Sequence, residues 1–220
     1  MGHAKTPNKM RATIFILLPI IIFSCGDKVG GFEVPQPEGQ TDEKGLPTKI
    51  IGQYLNVKDS STLSVLAGLI TKSVVADFAE HKSELDSSDR VLFKNDTSFT
   101  QIDFNMRINV VVKGDSVFQH MDYKDTIFSV KQGDILRKFK GYYFLSHQTS
   151  KNNWNVIKLT KTRKRLTLGT ISTKEDIEKL RELTETKSDS IYTFRPTKKQ
   201  LKQFLRDKGF SNEDSYVKIK

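Results

Sequence analysis

The chain of 220 residues holds one cysteine, one tryptophan and six prolines. A single thiol excludes an intramolecular disulfide, so the fold must stand on its own core. Long apolar runs are nearly absent. The one present, Ala12 to Phe23, is shorter than the about 20 residues a membrane-spanning helix needs. Catalytic signatures are missing as well: there is no GxSxG, Walker loop, GxGxxG or HExxH. His81, His120 and His147 stand in unrelated contexts, and the acid pairs Glu84/Asp86 and Asp122/Asp125 read as loop solvation. The expectation is a protein that is not an enzyme and carries no metal or cofactor. Acid is scarce relative to base, with 26 Asp and Glu against 36 Lys and Arg and a net charge of +10.

What is present begins at the N-terminus. His3, Lys5, Lys9 and Arg11 form a basic flank without acid, ahead of the apolar block. That length and flank predict a secretory signal over residues 1–24. The block ends in Ile22-Phe23-Ser24-Cys25. An aliphatic residue at −3 and a small one at −1, directly before the sole thiol, resemble the bacterial lipobox. The resemblance implies cleavage before Cys25, a thioether to diacylglycerol and acylation of the new amine. Acyl chains contribute about 0.8 kcal/mol per buried methylene, so two or three hold where one does not. The expected location is the cell envelope, anchored to a bacterial membrane whose leaflet is left open. Residues 25–45 follow as "CGDKVGGFEVPQPEGQTDEKG", which predicts a flexible tether.

Residues 46–171 read as an antiparallel β domain. "STLSVL" alternates at Leu63 and Val65, and Ile108, Val110 and Val112 share one face. Gly114-Asp115 and Gly133-Asp134 predict two-residue turns of the type that needs glycine first. "NWNVIKL" and "RLTLGTI" predict a further hairpin around residues 160–164. "LPTKIIGQYLNV" and "ILRKFKGYYFLS" share lysine, a spacer and then Gly-x-Tyr, at Gly52/Tyr54 and Gly141/Tyr143. The echo fits either a duplicated half-barrel or chance recurrence of a common strand device. Residues 172–220 predict a helical part packed on the β domain. Capping boxes are read at Ser172/Glu175 and Thr197/Gln200, and Leu201, Phe204 and Leu205 make an apolar stripe ended by Gly209. The fold class is mainly β with C-terminal helices (α+β). Its sheet is either antiparallel and open or a lipocalin-like, partly closed barrel with two helices at one end.

Two basic clusters stand out. Lys161, Arg163, Lys164 and Arg165 gather at a hairpin tip, and Lys198, Lys202 and Arg206 share one helix face. Both are candidate contacts to an anionic surface, against the plainer reading of solvated faces. The expected partners are the membrane through the acyl chains and an anionic lipid, glycan or envelope protein. Nucleic acid is excluded for an exported chain. Taken whole, "LPTKIIGQYLNV", "STLSVL", "FKGYYFLSHQ" and "NNWNVIKL" resemble uncharacterised small lipoproteins of flavobacteria and other Bacteroidota, a resemblance that implies no activity. Gly52-x-Tyr54 alone resembles the opening strand of lipocalin-like barrels. The leading expectation is a non-catalytic, lipid-anchored envelope protein that binds a partner or anionic component. The alternatives are a lipocalin-like carrier of a small apolar ligand and an unrecognised hydrolase.

Overall fold

A computed structural model describes residues 30–85, 99–103, 105–186 and 193–219. The signal segment, Cys25 and Asp86 lie outside the described residues. The strands are β1 (Gly31–Phe32), β2 (Gly52–Leu55), β3 (Thr62–Val65), β4 (Leu69–His81), β5 (Phe99–Asp103), β6 (Met106–Lys113), β7 (Ser116–Ser129), β8 (Ile135–Phe139), β9 (Tyr142–Ser150), β10 (Asn153–Lys161), β11 (Arg165–Thr170), β12 (Thr193–Phe194) and β13 (Asn212–Lys218). The helices are α1 (Lys174–Thr184) and α2 (Lys198–Arg206). The fold is mainly β with two helices. Among the described residues the chain divides into two compact units, residues 30–75 with 122–219, and residues 76–121.

In the larger unit the strands run in the order β8-β9-β10-β11-β13-β2-β3-β4-β7. β1 and β12 run parallel, whereas the β8–β9, β9–β10, β1–β10, β10–β11, β11–β13, β13–β2, β2–β3 and β3–β4 ladders are antiparallel. Among the described residues no ladder joins β7 to β8, so the sheet is open and the partly closed barrel is not formed. Between β7 and β8 the Asp134 carboxylate accepts from the Ser129 N–H at 2.6 Å.

Alternation along β9 and β10 sorts their side chains onto two cores. Tyr143, Leu145 and Leu159 join Tyr54, Leu63, Phe128, Leu136, Leu166 and Tyr216 on one face. Phe144 and Val156 join Phe32, Ile171, Leu180, Phe194, Leu201, Phe204 and Phe210 on the other, beneath the helices. Burial on both faces explains why "YYFLS" reads as a continuous apolar run rather than an alternating one.

Several expectations change. Residues 30–45 are not a free tether, because Phe32 is fully buried and β1 pairs with both β10 and β12. Arg137 then holds the following stretch, donating to the carbonyls of Pro35 and Pro37 and to Asp42. Gly133-Asp134 is not a two-residue hairpin turn. A 3₁₀ turn at Val130–Gln132 precedes it, and Gly133 closes that turn at φ +92°. The cap of α1 is Thr173 over the Asp176 N–H, not Ser172 over Glu175. The C-terminal part is not only helical, since β13 lies between β11 and β2 inside the sheet.

The smaller unit pairs the far end of β4, the near end of β7, β6 and β5 in that order. Gly114, at φ +57°, opens the β6–β7 turn as its position demands. Ile108, Val110, Val112, Val117 and Met121 are buried, whereas Phe78, Val111 and Phe118 are exposed.

Candidate anion-binding site

The β10–β11 hairpin ends in a tight turn. The Thr162 N–H donates to the Arg165 carbonyl at 2.9 Å. The Lys161 ammonium curls over the turn and donates to the carbonyls of Thr162 at 2.6 Å and Arg163 at 3.2 Å. An ammonium has three N–H bonds, so one is left to point elsewhere. Lys161 thus braces the turn that carries Arg163.

Beside this turn lies a concave site of about 450 Å³, lined by Lys49, Ile50, Lys138, Gly141, Tyr143, Lys161, Thr162 and Arg163. Four of these eight residues are cationic and none is acidic. The cations come from three places. Lys49 sits in the turn leading into β2, where the Ile50 N–H donates to the Pro47 carbonyl. Lys138 is on β8, opposite Tyr143 in the ladder, with its ammonium 5.7 Å from that ring. Lys161 and Arg163 belong to the hairpin tip. Lys140 and Gly141 make the β8–β9 turn with φ of +52° and +87°. Both central residues of such a turn need positive φ, which glycine adopts without a Cβ clash.

A second layer of charge lies behind. Lys161 and Lys218 place their ammonium groups 5.7 and 5.9 Å from the same Tyr54 ring. Tyr54 is fully buried and donates to the Ile50 carbonyl at 2.6 Å. Burial, and then the Lys218 charge, hold the Lys161 ammonium below the usual lysine range. Burial likewise raises the Tyr54 hydroxyl. The two ammonium groups thus crowd one ring, and no acid stands in the lining of the site.

The seven basic residues singled out in the sequence do not form one patch. Lys161 and Arg163 line the concave site, while Lys164 and Arg165 lie exposed on the same tip outside its lining. Lys198, Lys202 and Arg206 are exposed on α2, whose buried residues Leu201 and Phe204 pack in the second core with Val156. Residue 156 stands five positions back along β10 from Lys161, or about 16 Å of strand. Lys198 donates to the Gly39 carbonyl at 3.0 Å, and Arg206 donates to Gln203. The neighbouring α1 carries Glu178 and Glu182 and is capped by Glu185, so the charge around the helix pair is mixed.

Sequence reasoning missed Lys49, Lys138, Tyr143 and Lys218 as site residues. A signal for the first three was present. The echoed segments are Lys49-x-x-Gly52-x-Tyr54 and Lys138-x-x-Gly141-x-Tyr143. The fold brings both to this one place, each supplying its lysine to the lining. Other sites gather less. His120 on β7 meets Asp77 on β4 at 2.7 Å, and His147 on β9 meets Asp134, just ahead of β8, at 2.7 Å. Among the described residues no three His, Cys, Asp or Glu side chains come together in a metal-holding group. No family model, no curated protein and no solved structure matches this chain.

Proposed function

We propose that the chain is a non-catalytic, lipid-anchored protein of a bacterial cell envelope that binds an anionic envelope component at the β10–β11 tip. The observation that carries the reading is the acid-free lining of the concave site, with Lys49, Lys138, Lys161 and Arg163 around it. Each cation close to an anionic surface is worth about 1 kcal/mol at modest salt. Four acting together change affinity by about a thousandfold. The lining offers cations and no acid–base pair, which suits holding an anion rather than transforming it. The lipobox at Ile22 to Cys25 supports the anchor. With the lipid supplying attachment, the pocket supplies recognition.

The test has two arms. Metabolic labelling with a fatty-acid analogue should mark the wild type and leave Cys25→Ala unlabelled and uncleaved; equal labelling removes the anchor from the account. The detergent-solubilised full chain should co-sediment with phosphatidylglycerol-containing vesicles at low salt and not with phosphatidylcholine alone. Binding should weaken as salt shortens the screening length from about 10 Å at 0.1 M to about 3 Å at 1 M. Salt-independent binding contradicts the anionic partner, and no binding removes an anionic lipid surface as that partner.

A further inference from the structure

We propose that the anion taken at the β10–β11 tip is a phosphomonoester carried on a sugar-sized group; this rests on the anion-binding reading above. Three features of the site carry the inference. The first is where the cations come from. Lys49, Lys138 and the Lys161/Arg163 pair stand on three separate segments around one hollow. A carboxylate or a phosphodiester offers two charged oxygens and one negative charge. A phosphomonoester offers three terminal oxygens and about −1.5 to −2 charge at neutral pH. Three donors arriving from three directions match three oxygens, and charge-assisted hydrogen bonds reward that match.

The second feature is charge left over behind the lining. Lys161 spends two N–H groups on the turn carbonyls and shares the Tyr54 ring with Lys218. A dianion offsets that crowded pair better than a monoanion does. The third feature is shape. A planar membrane surface touches what protrudes, whereas these cations line a hollow of about 450 Å³. That volume is in the range that houses a small molecule and exceeds what a bare phosphate fills. The aliphatic stems of the lysines and Tyr143 offer apolar wall to the carbon skeleton of the group bearing the phosphate, and Gly141 leaves room by having no side chain.

The experiment is calorimetric titration of the solubilised full chain with glucose 1-phosphate, glucuronate, dimethyl phosphate and inorganic phosphate at fixed low ionic strength. Glucose 1-phosphate should bind saturably and about tenfold or more tighter than glucuronate or dimethyl phosphate. Lys49→Ala and Arg163→Ala should each weaken it by about tenfold. Both residues are exposed, so the unfolding midpoint should stay in place. Equal binding of glucuronate overturns the phosphate preference and leaves the anion reading intact. Equal binding of inorganic phosphate overturns the sugar-sized group. No saturable binding of any probe overturns both readings, as does binding that neither variant weakens. Vesicles then separate the sources. Capture by phosphatidic acid, displaced by glucose 1-phosphate, assigns the phosphate to a lipid headgroup. Glucose 1-phosphate binding without vesicle capture assigns it to a soluble or glycan-borne ester.

Discussion

Lys161 has two roles that oppose each other. Its ammonium braces the Thr162 and Arg163 carbonyls more strongly when charged, yet burial and Lys218 disfavour that charge. Because its folded pKa lies below the usual 10.5, the folded chain binds this proton less tightly than the unfolded chain does. The resulting penalty is present at neutral pH and fades as pH rises towards 10.5. An anion at the tip favours the charged form and raises the pKa again. Binding in the alkaline window just below 10.5 should therefore take up protons, while binding at neutral pH should take up none from this group. Titrations in buffers of different ionisation enthalpy check this. Proton release on binding at alkaline pH contradicts it. Tyr216 gives the opposite slope. Burial, and then Asp214, push its hydroxyl from 10.0 up to about 12. Its stabilising share is present below pH 10 and is lost as pH climbs towards 12. Tyr216→Phe should flatten that alkaline fall. At neutral pH it should also cost about 1–3 kcal/mol, because Asn56 and Ser61 are buried and lose a hydrogen-bond partner. Denaturant midpoints of both proteins across the pH range read both effects.

At the scale of elements, the sequence was most legible where a local rule was sufficient. The capping box of α2 is formed as read, with Thr197 over the Gln200 N–H and the Gln200 side chain on the Thr197 N–H. Thr197→Ala should cost about 0.5–2 kcal/mol, read as a lower urea midpoint. The β6–β7 and β10–β11 hairpins also lie where glycine and alternation put them. Legibility failed where a distant contact decided the outcome. "GGFEVPQPEG" has the composition of a linker, but Phe32 stacks on Phe210, 178 positions away, with ring centroids 6.2 Å apart. Phe32→Ala should therefore cost about 3–5 kcal/mol, whereas a free tether residue should cost nothing. Urea unfolding of that variant decides between the two. The Gly133 turn misled for a related reason. Its glycine does take positive φ, but it ends a 3₁₀ turn whose Val130 N–H is held by the Gly68 carbonyl.

At the scale of the molecule, two clusters of similar charge were legible and their difference was not. Spacing alone placed Lys198, Lys202 and Arg206 on one exposed helix face and Lys161 to Arg165 on a hairpin tip. Only the fold adds Lys49 and Lys138 to the tip, by folding two echoed segments to one place, and leaves the helix beside the acids of α1. Position rather than net charge is therefore the central claim, and a pair of charge-matched variants isolates it. One carries Lys49→Glu, Lys138→Glu and Arg163→Glu; the other carries Lys198→Glu, Lys202→Glu and Arg206→Glu. Each changes the net charge by the same amount, and all six side chains are exposed. The measurement is co-sedimentation of each full chain with anionic vesicles at about 0.1 M ionic strength, where the screening length is about 10 Å, beside the wild type. The account predicts that the tip variant loses binding and that the helix variant stays within about threefold of the wild type, since exposed charges beyond a screening length act weakly. Equal losses in the two variants, or a larger loss in the helix variant, would contradict it.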